Sequence, residues 1–305
     1  MASPELQVVN DLIKSTDMTS GSVDERRAAI ESFSAPPPEG TSVEAVDAGG
    51  VPAEWVVADG VESERVILYL HGGGYVIGSL NTHRPLVARL STAARARVLN
   101  ADYRLAPEHP HPAAVDDAVA AYRWLLDAGV PPASIAVSGD SAGGGLTLAT
   151  LLALRDAGDP MPAAAVPISP WADLEGTGES VTTRAAVDLM CTVEGLKEMA
   201  DWYAAGQDLR EPYLSPMYGD MTGLPPLLIH VGDAEILRDD AVRVADRARA
   251  AGVDVTLEIW DEMPHVWHAF AGLLPEADQA ITRIGSWLDE RFTRAGRPDS
   301  RDTTP

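Results

Sequence analysis

The chain has 305 residues, 46% of them apolar and 23% charged, enough to build a large globular core. Its formal net charge of −23 gives a surface that repels phosphate backbones and anionic lipid, so neither nucleic acid nor membrane is expected as a partner. The one cysteine, Cys191, excludes an intrachain disulfide and reads as a small apolar filler. The start lacks the basic, continuously apolar pattern of a leader, no run approaches the ~18 apolar residues of a membrane span, and a cytoplasmic protein is expected.

In chain order, residues 1–40 predict two short amphipathic helices. Leu6, Val9 and Ile13 recur at helical spacing, and DERRAAIESF continues until the Pro36-Pro37-Pro38 run. From about residue 42, apolar runs alternate with helical stretches. AEWVVAD, RVILYL and ARVLNADY read as strands, followed by a helix around AAVDDAVAAYRWLLDAG. SIAVSGD, AAAVPIS, PLLIHVGD and VTLEIW are further strands, separated by helices in LTLATLLALRDAG and LRDDAVRVADRARAAG and followed by one near EADQAITRIGSWLDERF. Short Val/Ile/Leu-rich strands spaced by helices predict an α/β protein with a mostly parallel sheet covered on both faces. Residues 175–210 break this rhythm as a helical insertion between two strands. Residues 296–305 are polar and proline-containing and are expected to be disordered. Residues 1–295 therefore read as a single domain.

Gly139-Asp140-Ser141-Ala142-Gly143 is a G-x-S-x-G pattern with a strand running in and a helix leaving. A serine at such a corner exposes its Oγ above the sheet, where flanking glycines let strand and helix approach. The helix N-terminus adds unpaired N–H groups beside it. The competing reading is an ordinary N-cap serine; a phosphate loop is not supported, because the Gly-Lys-Ser/Thr ending is missing. His71-Gly72-Gly73-Gly74 follows the strand RVILYL, and three glycines there present backbone N–H groups of the kind that hold a tetrahedral oxyanion. On its own this run also reads as a flexible turn.

A serine nucleophile needs a base, and seven histidines compete. His71 lies in the glycine loop. His83, His109 and His111 precede Ser141, the last two flanked by prolines, and two histidines alone are a weak metal signal. His230 lies within a strand and reads as core. His265 follows the Met-Pro turn after VTLEIW and is best placed to reach back over the sheet; His268 begins a helical segment and reads as packing.

HGGGY, DYRLAPEHPHPAA, GDSAGGG, an acid before LRDD, and PHVWHAF occur in one order over roughly residues 60–295. Together they resemble the hormone-sensitive-lipase family of α/β-hydrolases, the bacterial family IV esterases. The resemblance implies the α/β-hydrolase fold: about eight mostly parallel strands, helices on both faces, and a helical cap, which residues 1–40 and 175–210 could form. It implies an oxyanion hole from the N–H groups of Gly73, Gly74 and Ala142. No cofactor or metal is implied, and a homodimer is a possible assembly.

The family's usual aspartate, two residues before the leucine of D-x-L-R-D, falls here on Glu235. The order serine, acid, histidine permits glutamate. Asp233 is the rival, while Asp239 and Asp240 suit the first turn of the next helix. The expectation is a serine carboxylesterase acting on short- to medium-chain esters, with Ser141 as nucleophile, His265 as base and Glu235 as orienting acid. A lactone or amide hydrolase with the same site, or a non-catalytic small-molecule-binding protein on the same fold, are the alternatives. No specificity residues are assigned among Trp171, Leu189, Met190, Trp202 and Tyr203.

Overall fold

The computed structural model describes residues 2–15, 20–32 and 34–296. Eight strands form one sheet: β1 (Thr41–Asp47), β2 (Pro52–Ala58), β3 (Val66–Leu70), β4 (Arg97–Ala101), β5 (Ile135–Asp140), β6 (Ala164–Ile168), β7 (Leu227–Gly232) and β8 (Val255–Trp260). Their spatial order is β1-β2-β4-β3-β5-β6-β7-β8, with β1 and β2 antiparallel to their neighbours and all other pairs parallel. Strands β3, β5, β6 and β7 are buried along their whole length. Their runs such as VILYL are therefore apolar on both faces, as a covered parallel sheet requires.

The helices are α1 (Glu5–Lys14), α2 (Val23–Glu31), α3 (Leu80–Ala94), α4 (Ala113–Asp127), α5 (Ala142–Ala157), α6 (Ser180–Thr183), α7 (Val193–Ala204), α8 (Arg238–Ala250) and α9 (Pro275–Ala295). Both N-terminal helices form as expected. Helix α1 buries Leu6, Val9 and Ile13 against Trp267 and Leu274, and α2 opens on a capping box between Ser22 and Glu25. Strand β1 and helix α3 carry no such signal in the sequence. Strand β1 is a largely exposed edge. Helix α3 contains Pro85, a residue that ordinarily argues against a helix interior. It forms because a Ser79–Thr82 capping box starts it and Leu86, Val87, Leu90 and Ala94 are buried along it. The 175–210 insertion is less helical than expected, with only α6 and α7 regular. Of the tail 296–305, only Gly296 falls within the described residues; it follows α9.

The chain passes from β3 through α3 to β4 on one side of β3, then returns through α4 to β5 on the other. Strand order thus reverses between the hydrogen-bonded neighbours β3 and β5. In an open α/β sheet the crevice at the carboxyl ends of such a pair is where ligands bind. Here those ends carry the His71 loop and Ser141.

Candidate active site

Ser141 sits between β5 and α5 with φ 54° and ψ −120°, a strained conformation for a residue with a side chain. The corner is held from β6: the Ser141 N–H donates to the Ile168 carbonyl at 2.9 Å, and the Ser141 carbonyl accepts the Trp171 N–H at 2.9 Å. The flanking glycines are needed for space. A Cβ on Gly143 would strike the Leu70 and His71 carbonyls, and one on Gly139 would strike the Gly143 and Leu70 carbonyls.

After β3, the Gly73 carbonyl accepts the N–H groups of Val76 at 3.0 Å and Ile77 at 2.9 Å, which folds the glycine loop into a turn. Gly73 has φ 120° and Gly74 φ 61°; a Cβ at the first would run into the Ile77 backbone, and at the second into the Met199 sulfur. Among the described residues no acceptor is seen for the Gly73 and Gly74 N–H groups. Ala142 is the first residue of α5, so its N–H has no partner within the helix. His71 braces the loop, with Nδ1 2.8 Å from the Gly72 carbonyl oxygen. Tyr103, from the loop after β4, donates its hydroxyl to the His71 carbonyl at 2.6 Å.

His265 lies on the loop after β8, just before a 3₁₀ turn at Trp267–Phe270. Its Nδ1 is 2.7 Å from Glu235 Oε2, and both side chains are buried. The other Glu235 oxygen accepts the Ser169 hydroxyl at 2.7 Å and the Gly232 N–H at 2.5 Å. Asp233, the rival acid, is half-exposed and faces away, paired with Arg184 at 2.8 Å and Arg238 at 3.0 Å. Asp239 accepts the Ser180 N–H at 2.8 Å, and Asp240 accepts those of Ala172 and Asp173, each at 2.9 Å. Burial raises the Glu235 carboxyl above its ordinary value. Burial opposes the His265 imidazolium, but the Cys191 sulfur and the Glu235 carboxylate overcome it and raise His265 above its ordinary value. The Cys191 thiol is itself raised by burial and is uncharged near neutrality, which leaves Glu235 as the charge supporting the imidazolium.

Ser141, His265, Gly73 and Gly74 border one cavity of about 460 Å³. Leu12, Ile13 and Ile30 from the N-terminal helices line it, as do Met190, Leu196 and Met199 from the 175–210 insertion and Leu86 and Phe270 from the main body. Cys191 is partly buried and packs against the main core, and it also stands in the cavity wall beside His265. Met190 lines the cavity, whereas Trp171 and Tyr203 are buried core, Tyr203 stacking on Tyr75 with ring centres 3.8 Å apart.

Four of the other histidines lie elsewhere. His230 is buried in β7, its Nδ1 3.1 Å from His268 Nε2. His109 is exposed, and His111 is buried with Nδ1 3.4 Å from the Tyr203 hydroxyl. Sequence reading did not single out Ser169 or Asp188. Ser169, at the end of β6, holds Glu235. Asp188 accepts the Met190 and Cys191 N–H groups on one oxygen and the Ile236 N–H on the other, joining the insertion to the Glu235 loop. Neither sits in a recognisable motif. Their role exists only once three separate loops meet.

A serine on a strained strand-to-helix corner, a glycine loop after the neighbouring strand, and an acid–histidine pair on later loops define an α/β-hydrolase site. A family profile described as alpha/beta hydrolase fold matches residues 67–269. The acetyl-hydrolase of Streptomyces hygroscopicus is 49% identical over 296 residues, covering 94% of this chain and 97% of that protein. Crystal structures of EstE5 soaked with ethyl alcohol (TM-score 0.94) and of an esterase from the bacterial hormone-sensitive lipase family (TM-score 0.93) are each 50% identical. Each alignment covers 96% of this chain and at least 99% of the other. The chain belongs to the bacterial hormone-sensitive-lipase-like family of esterases, and it is a carboxylic ester hydrolase of the serine-esterase type.

Proposed function

We propose that Ser141, His265 and Glu235 are the nucleophile, general base and orienting acid of this hydrolase, and that Gly73, Gly74 and Ala142 hold the oxyanion. One observation carries the reading: Ser141 and His265 share a cavity, and Nδ1 of His265 is 2.7 Å from a buried carboxylate. Ser141 Oγ attacks the ester carbonyl carbon while His265 takes its proton. The negative charge gathers on the carbonyl oxygen, where the three N–H groups donate to it. His265 then gives its proton to the departing alkoxide oxygen as the C–O bond breaks, leaving an acyl-Ser141 and a free alcohol. Water, deprotonated by His265, repeats the sequence, releasing the acid and returning the proton to Ser141.

Short- to medium-chain carboxylic esters are the substrate class, supported by the size of the cavity and its predominantly apolar wall. Residues 1–40 and 175–210 act as its cap, in one catalytic domain spanning 1–295. Among the described residues no helix is long and apolar enough to cross a membrane. A cytoplasmic location accords with the single cysteine, a net charge of −23 disfavours nucleic acid as a partner, and a homodimer follows the family resemblance.

Purified enzyme should hydrolyse p-nitrophenyl butyrate and be labelled by a fluorophosphonate at Ser141. Ser141→Ala should lose labelling and reduce kcat by at least about 10⁴-fold. Retention of most activity by that variant would end the assignment. A profile of linear esters, lactones and amides on the wild type sets the substrate class.

A further inference from the structure

Asp140, immediately before Ser141, carries a buried carboxylate that no step above uses. Its Oδ1 accepts the Tyr69 hydroxyl at 2.7 Å and the Gly72 N–H at 3.1 Å, and its Oδ2 lies 3.3 Å from His83 Nε2. His83 is in the first turn of α3, with Nδ1 2.8 Å from Thr82 Oγ1; the Gly72 N–H, shared with Asp140 Oδ1, also points to His83 Nε2 at 3.3 Å when that nitrogen carries no proton. Both His83 and Asp140 border the cavity. One carboxylate therefore ties the Ser141 corner to the glycine loop and both to α3. The fit is close, since a Cβ on Gly72 would strike the Asp140 carboxylate.

This arrangement poses a charge problem. Burial alone would raise the Asp140 carboxyl, but His83 beside it and the Tyr69 hydroxyl bring it down to about 2, so it is ionised. A fixed negative charge beside a developing oxyanion opposes the reaction strongly where water is excluded. His83 is the group on Asp140 that can offset it: burial opposes its protonation, and Asp140 outweighs burial and raises it. The other groups facing the pair are uncharged near neutrality. Tyr69 from β3 and Tyr103 from the loop after β4 are raised by burial. His71 is lowered to about 4 and His268, from the 3₁₀ turn, is lowered well below its ordinary value, both by burial. Arg84, next along α3, is tied to Glu54 at 2.7 Å.

We propose that His83 is a positioning residue of the reaction: with Asp140 it fixes the glycine loop against the Ser141 corner, and its imidazolium cancels the Asp140 charge as the oxyanion forms. The inference rests on Gly73, Gly74 and Ala142 as the oxyanion hole.

The test is kcat and KM for p-nitrophenyl butyrate across pH 5 to 10 in wild type, His83→Gln and the double variant His83→Gln/Asp140→Asn. Wild-type kcat should fall on the alkaline side as His83 loses its proton. His83→Gln should keep KM within about twofold, lose about 10- to 100-fold in kcat at pH 7, and lack the alkaline fall. The double variant, a neutral pair, should recover at least about tenfold of that loss. A His83→Gln kcat within twofold of wild type, or a double variant slower than the single one, overturns the proposal. If His83→Gln does not fold, the His83 imidazole is titrated by NMR in the wild type, and a midpoint away from the alkaline fall of kcat overturns it equally. Failure of the oxyanion assignment is separable: Gly73→Ala would then leave kcat intact whatever His83 does.

Discussion

Glu235 Oε2 lies 2.7 Å from His265 Nδ1, and neither side chain is open to solvent to any useful extent. The glutamate is one methylene longer than the aspartate usual at this place. The extra length is accommodated by turning Oε1 back onto its own strand end, where Gly232 N–H and the Ser169 hydroxyl hold it. Glu235→Gln should reduce kcat on p-nitrophenyl butyrate by about 10³- to 10⁴-fold, because the amide cannot fix the correct ring tautomer or stabilise the imidazolium. Asp233→Asn should stay within about threefold of wild type, since Asp233 is engaged with Arg184 and Arg238. The reverse ranking would transfer the acid's role to Asp233.

The same pair should set the acid limb of the pH profile. On the proposed mechanism turnover needs neutral His265, and the Cys191 sulfur and the Glu235 carboxylate together favour the protonated ring despite burial. Removing that negative charge makes the imidazolium easier to deprotonate. The residual activity of Glu235→Gln should therefore show an acid limb at lower pH than wild type. A limb that stays in place or moves upward would mean another group governs it.

The glycine loop offers a separate test. Gly73 has φ 120° and no room for a Cβ beside the Ile77 backbone. Gly73→Ala should displace its N–H and lower kcat by about 10²- to 10³-fold, with KM changed far less. Circular dichroism and the unfolding midpoint should remain near wild type if the change is local. An equal rise in KM with unchanged kcat would point to substrate binding instead.

Asp240 carries a stability prediction. It is buried, and burial, with Asp173 beside it, raises its carboxyl from 3.8 to about 7, although two backbone N–H groups and Arg243 oppose this. In the unfolded chain the group ionises near 3.8, so between that pH and about 7 the folded state holds one proton more. The contribution of Asp240 to stability should accordingly be greatest below this window and fall as pH rises through it, by at most about 4.5 kcal/mol at about 1.4 kcal/mol per pH unit. Urea unfolding at pH 5 and pH 8 measures it. Asp240→Asn should flatten the dependence, and an unchanged slope in that variant would assign the effect elsewhere.

Much of this is legible in the sequence. The buried strands announce themselves as apolar runs because both faces of a parallel sheet are covered. Ser141 was recognisable because strand, corner and helix are contiguous in the chain, and each flanking glycine answers a local steric demand. Strand β1 was not, because an edge strand with one exposed residue after another, TSVEAVD, carries little apolar periodicity. Helix α3 was masked by Pro85, whose local cost is outweighed by contacts with distant parts of the chain.

The sequence by itself therefore determined the class of fold, and it marked Ser141, the glycine loop and His265 as the candidate site, all of which follow from residue type within a few neighbouring positions. It narrowed the acid to Glu235 or Asp233 without separating them by geometry. Only the tertiary structure decided that Glu235 faces His265, that Ser169 and Asp188 support it, and that Cys191 belongs to the cavity wall. It alone brought His83 to Asp140, 57 positions apart in the chain. The reason is physical: a corner or a strand is set by local sterics and burial, whereas a hydrogen bond between loops exists only after the sheet has aligned their ends.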